Sequence, residues 1–486
     1  MKTTRHPVRL LLTRTCRWVV LSLSLTLLAT GCAVGPNYRR PEATAIPETY
    51  TGPAGEWKIA TPKAHLAKGN WWKIFADPQL DRLEAEAEAA NQDLKAAVAK
   101  FEQARAVADV ARSGLFPRLG GAFQPVRQRD SENRPAGGKP GKTYDNLIAP
   151  FDLSYELDLW GRVRRSLESA TAQSEASGDD VEAVRLTIQA EVAADYFTIR
   201  ALDADKALLR SSIEVYRKSL ALVRDRRANG MVSDLDVAQA ETVLKTTESQ
   251  LPENALQRAK FEHALAVLTG NNASLFHLEE RPLDLGPLLV PPDLPSELLE
   301  RRPDIAAAER RMAAANANIG VATAAFFPTV KLTGLAGFQS GDAALLFDWP
   351  SRFWAVGASV SQPLFQGGQL MANLHQAKAA YEENVARYRQ IVLAAFADVG
   401  NNLAAENLLA SQYMQVMGAL QSANRQLEIA NNRYEAGLVT YLEVAVSEHT
   451  ALGLERTGAR LRGQQLAAVV GLIKSLGGGW NEATLQ

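Results

Sequence analysis

The clearest pattern in the chain is Phe151-Asp-Leu-Ser-Tyr-Glu-Leu-Asp-Leu159. Phe151, Leu153, Tyr155, Leu157 and Leu159 alternate with Asp152, Ser154, Glu156 and Asp158. Period-two alternation puts one set on each face of a β-strand. The length suits a strand that crosses a bilayer, apolar towards lipid and polar towards water. A half-buried strand of a soluble sheet fits equally. A partner near residues 121–128 is less well patterned and contains Pro125. Between them, residues 130–142 are charged and rich in Gly and Pro, as an exposed loop should be. In the second half, Val330 and Leu332 alternate with Thr329, Lys331 and Thr333, and Trp354, Val356, Ala358 and Val360 share one face. Phe347, Trp349, Phe353 and Trp354 cluster beside that strand. Aromatic rings gather at membrane–water boundaries, although an ordinary aromatic patch has the same composition.

Helical periodicity fills most of the remainder. Leu80, Leu83, Ala87, Leu94, Val98 and Phe101 recur at helical intervals, which predicts a helix from Pro78 to Leu115, stopped by Phe116-Pro117. Residues 162–229 and 368–436 contain no proline. As helices each would run roughly 100 Å. Val181, Val184, Ile188, Val192, Tyr196, Ile199 and Leu202 form a packing seam along the first, and Gly178 is expected to soften it. Gly230 and Gly437 end these stretches as C-terminal turn residues. Return helices follow over 235–268 and 442–476, the first with an expected kink at Leu251-Pro252.

The two halves repeat each other at an offset of about 207 residues. Arg226-Arg-Ala-Asn-Gly230-Met-Val-Ser-Asp-Leu-Asp-Val237 aligns with Arg433-Tyr-Glu-Ala-Gly437-Leu-Val-Thr-Tyr-Leu-Glu-Val444. Leu115-Phe-Pro117 returns as Phe326-Phe-Pro328, and Gly161 as Gly368. The chain is therefore two copies of strand–strand–helix–helix. Four strands cannot close a membrane barrel, for which about eight are the minimum, so closure would require several chains.

The N-terminus reads as a secretion signal. Lys2, Arg5, Arg9, Arg14 and Arg17 precede an apolar run, Trp18 to Leu28, too short to span a bilayer. Leu28-Ala-Thr-Gly-Cys32 resembles a lipobox, which would make Cys32 the first mature residue and the bearer of acyl chains. Ala33, where no Asp stands, favours the outer membrane by that likeness. Cys16 leaves with the signal, so the mature chain has no disulfide. Five of 53 basic residues leave too, so 48 face 54 acidic ones, a net charge of −6 that argues against nucleic-acid binding.

Catalytic patterns are missing from the sequence. His65, His263, His277, His375 and His449 are scattered without metal-ligand spacing, and there is no Gly-x-Ser-x-Gly elbow. Gly141-Lys-Thr143 ends like a phosphate loop, but Ala136 stands where its first glycine belongs. No catalytic residue, metal or cofactor is expected beyond acyl chains on Cys32. The distinctive polar groups are Asp234, Asp236 and Glu443, beside the two turn glycines. Carboxylates in a first helical turn favour the positive end of the helix dipole. Brought together around a tube, they would instead form a cation-selecting ring.

Several motifs together resemble the TolC-like outer-membrane efflux proteins, in the lipoprotein branch that includes OprM and NodT. They are Gly35-Pro-Asn-Tyr-x-x-Pro41, Trp71-Trp-x-x-Phe-x-Asp-Pro-x-Leu80, Asn91-x-Asp-Leu94 and Tyr155-Glu-Leu-Asp-Leu-Trp-Gly-Arg162. Arg301-Arg-Pro-Asp-Ile305, Pro363-Leu-Phe-x-Gly-Gly368 and Tyr434-x-x-Gly437 extend the likeness across the mature chain. The resemblance implies a mainly α protein with a membrane β-barrel portion. It would be a homotrimer with a 12-stranded barrel in outer-membrane lipid and a long periplasmic α-helical barrel. Gly230 and Gly437 would mark the tip, where a periplasmic adaptor docks and links the duct to an inner-membrane pump, expected to be proton-driven.

The same likeness places gate residues at Asp234, Asp236, Tyr434, Leu442, Glu443 and Val446. Val446 stands where many relatives carry an acidic residue and Val439 where some carry a basic one, so closure is expected to rest more on apolar contact through Leu442 and Val446. The expected divisions are a signal over 1–31, an anchored segment over 32–77, repeats over 78–270 and 297–486, and a linker over 271–296. The expected function is passive conduction of drugs or other small toxic compounds. A duct for type I protein or peptide secretion and a periplasmic coiled-coil structural lipoprotein are the alternatives.

Overall fold

The computed structural model describes residues 33–40, 70–133, 141–282 and 302–478. Cys32, the signal, and residues 283–296 of the expected linker lie outside them. The chain divides into two compact units. One holds residues 101–176 and 308–388 with the described N-terminal segment; the other holds the described residues of 43–100, 177–307 and 389–486.

The first unit is built on an antiparallel sheet. Its strands are β1 (Arg118–Gly121), β2 (Gln124–Arg129), β3 (Thr143–Leu157), β4 (Thr329–Ser340) and β5 (Arg352–Ser361). β1 and β2 both pair with β3, in one continuous register from Arg118 opposite Ser154 to Arg129 opposite Thr143. They are one strand in two pieces. The gap faces Pro150, which accepts from the Ala122 N–H at 3.0 Å but has no N–H to return. Pro125 is tolerated because this is an edge strand. The spatial order is β1/β2, β3, β4, β5, four strands wide, with open edges at each end.

β3 begins earlier than the alternation implies, at Thr143, and ends at Leu157, before Leu159. Asp158 explains the early end. Its carboxylate accepts from the Val163 and Arg164 N–H groups at 3.0 and 2.9 Å, capping the helix that begins at Arg162. β4 likewise outruns its sequence pattern, reaching Ser340 through small residues.

The helices are α1 (Pro78–Ala90), α2 (Gln92–Ser113), α3 (Arg162–Ala228), α4 (Asp234–Leu268), α5 (Pro303–Ala324), α6 (Gln369–Glu435) and α7 (Tyr441–Ser475). The single helix expected over 78–115 is two. Asn91 divides them: its side chain accepts from the Leu94 N–H at 3.0 Å and donates to the Leu268 carbonyl at 2.8 Å. Residues 71–75 form a 3-10 turn that buries Trp71, Trp72 and Phe75. α3 passes Gly178 unbroken, and α4 runs through Pro252 as one helix. Asn254 secures that stretch, donating to the Leu202 carbonyl and to Asp205 at 3.1 and 2.9 Å.

In the second unit residues 277–282 are fastened by buried charges. Arg200 donates to Asp203 at 2.8 Å and to the Glu279 carbonyl at 2.8 Å. Arg258 donates to Asp203 at 2.7 Å and to the Leu278 carbonyl at 2.6 Å. Each buried charge thus has several partners, which such burial demands.

Candidate functional site

The sheet carries the first functional surface. Register puts Leu153, Phe151 and Tyr155 beside Gly334, Ala336 and Leu332, and those beside Val356, Trp354 and Ala358. This face is apolar, and Trp354 (75%) and Val356 (80%) are among its most exposed side chains. The opposite face carries Asp152, Ser154, Glu156, Lys331 and Thr333. An exposed apolar sheet face of this extent marks contact with lipid or another apolar partner. Beside it, Arg352 lies 4.0 Å over the Trp349 ring, and Phe338 meets Phe347 edge-on at 5.7 Å.

The exit from β3 is a clamp. Glu156 takes two parallel hydrogen bonds from Arg162, each 2.8 Å. The carboxylate raises the Arg162 pKa further above its ordinary value, through these hydrogen bonds first. Trp160 donates to the Pro328 carbonyl at 2.8 Å and stacks on Phe327 at 4.8 Å. These bonds give the Tyr155–Arg162 motif its physical role: they tie the strand-to-helix junction of one repeat to the Phe327-Pro328 of the other.

The second surface lies at the two helical turns. Gly230 and Gly437 have φ of 70° and 73°. Met231 N–H reaches the Arg226 carbonyl at 2.9 Å and Gly230 N–H the Arg227 carbonyl at 2.9 Å; Leu438 and Gly437 repeat this on Arg433 and Tyr434 at 2.9 and 3.0 Å. Both α3 and α6 therefore end in the same paired-bond glycine cap.

Beyond the backbone the two turns part company. In the first, Arg227 makes an ion pair with Asp234, at 2.7 and 3.0 Å. The equivalent positions of the second are Tyr434 and Tyr441, whose rings meet edge-on at 5.7 Å. Asp236 closes a capping box: the Ser233 N–H and hydroxyl donate to it at 2.9 and 2.6 Å, and the Asp236 N–H returns a bond at 3.3 Å. Its equivalent, Glu443, accepts from Arg433 at 3.1 Å, and Thr440 makes no side-chain cap. Arg227 lowers the Asp234 pKa, and Ser233 lowers that of Asp236, with the Tyr441 N–H adding to it. Each expected tip carboxylate is thus already engaged within the chain.

Tyr434 is buried beneath Arg226, whose guanidinium sits 4.5 Å over the ring and donates to the Tyr434 carbonyl at 3.3 Å. The Tyr434 hydroxyl has no hydrogen-bond partner among the described residues. Leu442 and Val446 are half exposed, at 49% and 52%. With Glu443, Arg433 and Ile429 they line a groove of about 630 Å³ between α6 and α7.

One residue escaped the sequence reading. Glu448 is 5% exposed, beside a core of Tyr216, Leu220, Val223, Leu244, Tyr434, Tyr441, Val444 and Leu452. The Tyr441 hydroxyl lies 3.3 Å from its carboxylate. Burial pushes its carboxyl up to about 7. The signal was present: Glu448 falls on the stripe Tyr441, Val444, Ala445, Leu452, at helical spacing.

Residues 83–271 and 294–478 each match the family described as outer membrane efflux protein. The chain is 33% identical over 476 residues to the toluene efflux pump outer membrane protein TtgF of Pseudomonas putida, covering 96% of this chain and 98% of that one. It is 35% identical over 417 residues to the pyoverdine export outer membrane protein OpmQ of Pseudomonas aeruginosa, covering 84% and 87%. Among solved structures, the outer-membrane channel OprN superposes with a TM-score of 0.83 at 31% identity, covering 92% of this chain and 100% of that one.

Proposed function

Since this chain belongs to the outer membrane efflux protein family, we propose a homotrimer as the working form of what is the outer-membrane exit duct of a tripartite efflux system. The observation that carries the trimer is the sheet: one apolar face, four strands, two open edges. Lipid leaves no unpaired edge unpunished, so the strands must join a closed barrel. Three chains give 12 strands, a size at which a barrel encloses a polar lumen lined by residues such as Asp152, Glu156 and Lys331.

A periplasmic adaptor docks at the Gly230 and Gly437 turns and couples the duct to a proton-driven inner-membrane pump. Energy comes from that pump, the duct itself being passive and without catalysis. Acyl chains on Cys32 anchor the N-terminus in the outer membrane. The relatives' names refer to toluene efflux and pyoverdine export, which supports small organic compounds as the cargo class. At the tip, Leu442 and Val446 close the duct by apolar contact between subunits, assisted by Asp234, Asp236, Tyr434 and Glu443.

Reconstitution into planar bilayers tests the duct: a folded oligomer that never conducts would sink it. Native mass spectrometry reads the trimer and the acylated Cys32, which Cys32→Ser should abolish. For the gate, Glu443→Ala and Asp236→Ala should alter cation selectivity and closed-state leak, and unchanged values would remove them from it. A deletion strain should become hypersensitive to several unrelated compounds and recover on complementation.

A further inference from the structure

The core beside the turns contains one acid that the duct does not use. Glu448 sits one turn beyond Val444 on α7 and is almost wholly buried. The groups that face it can be named element by element. α3 presents the Tyr216 phenol and the Ser219 hydroxyl, and α7 itself presents Tyr441, with Glu455 further along acting on Tyr216. The adjoining apolar core holds Ala240 and Leu244 of α4 and Ala430 and Tyr434 of α6. Its neighbouring charges on α4 are turned to other work at the surface: Glu241 pairs with Arg224, and Lys245 with Glu248. Hydroxyls and rings lie against the carboxyl, and among the described residues no cation acts on it. The repeat sharpens the point, because its equivalent in the first half is Glu241, which is solvated and ion-paired.

Burial without a paired cation favours the neutral carboxyl, and the Tyr441 and Ser219 hydroxyls offset only part of that preference. Once ionised it must either be hydrated or draw the helix away from its packing. The helix concerned is the one that presents Leu442, Glu443 and Val446. We propose that Glu448 is a proton-operated latch: its neutral carboxyl holds the first turns of α7 against α3, and loss of the proton loosens residues 441–452 and favours opening of the tip. The loosening stands on the packing of this chain alone; its effect on opening rests on the duct reading above.

The sign follows from burial. The packed carboxyl titrates at about 7 and a solvated one at its ordinary 4.5. The packed form is therefore fully favoured below 4.5, loses ground as pH rises between these values, and is weakest above 7. The loss is on the order of 100-fold in the ratio of packed to loosened α7.

Hydrogen exchange of the purified full-length protein tests the latch, comparing wild type with Glu448→Gln at each pH. The amide keeps the shape and cannot ionise. Residues 441–452 should exchange equally in both at pH 4.5, and faster in wild type by up to about 100-fold at pH 8. The exposed His449 is common to both and cancels. Bilayer recordings form the second arm. Wild-type open probability should rise from pH 5 to 8 while that of Glu448→Gln stays low. Equal exchange in the two proteins at pH 8 overturns the latch. Different exchange with identical conductance profiles overturns its link to opening and leaves the duct intact. Absence of conductance at every pH counts against the duct, and exchange still decides the latch.

Discussion

At Tyr434 the hydroxyl is buried without a partner among the described residues, while the ring is held between Arg226 and Tyr441. An unsatisfied buried hydroxyl costs about 1–3 kcal/mol. Tyr434→Phe should therefore raise the thermal midpoint slightly if the ring alone matters. A lower midpoint and a larger resting leak would show instead that a neighbouring subunit takes the hydroxyl. Gly437→Ala makes the opposite kind of statement. A Cβ there meets nothing, yet φ is 73°. The cost is purely conformational, about 1–2 kcal/mol, and should appear as lower stability without altered packing elsewhere. Both glycines were legible in the sequence, since a glycine at the end of a long proline-free run has few other uses. The place of Glu448 on an apolar stripe was legible too, but its seal from water was not, because a lone acid in a helix is ordinarily solvated and only the packing of α3 against α7 excludes water from it.

At the level of the element, the two turns share a backbone and differ in how they start the next helix. Ser233→Ala should cost α4 about 1 kcal/mol and speed exchange in its first turn. Thr440→Ala, at the equivalent place, should change little, because its side chain caps nothing. Acid should reproduce the first effect. Asp236 is held below its ordinary 3.8, so its share of the cap is present above that value and is lost as pH falls through the lowered one. Sequence aligned Ser233 with Thr440 and Asp236 with Glu443, and the likeness concealed this difference. The side-chain partner decides it: Arg433 takes Glu443, and no residue takes Asp236 from Ser233.

For the whole molecule, the exposed face of the sheet is the quantity that matters. Val356→Arg would place a charge on that face, in the middle of β5. The expected cost is about 2–4 kcal/mol near the bilayer centre, read as a lower yield of folded protein in lipid vesicles. The same charge on the polar face, at Ser359, should leave the yield near wild type. The family and the fold class were readable from the chain because its motifs fall in a fixed order along both halves, as were the four strands and the paired long helices. The division of the first helix at Asn91, the length of β3 and β4, and the buried turn at Trp71–Phe75 were not.

Periodicity and a 207-residue repeat are local or one-dimensional properties, and the sequence alone determined them: which segments are strand or helix, where the turns fall, and that two equivalent units exist. Partner choice is three-dimensional. Tertiary structure decided that Arg227 pairs with Asp234 while Tyr434 meets Tyr441 edge-on, that Asp236 caps a helix while Glu443 takes an arginine, and that Glu448 is sealed from water. The physical reason is that backbone pattern follows from each residue's own preferences and neighbours. The energy of a charge depends on what distant parts of the chain bring within a few ångströms of it.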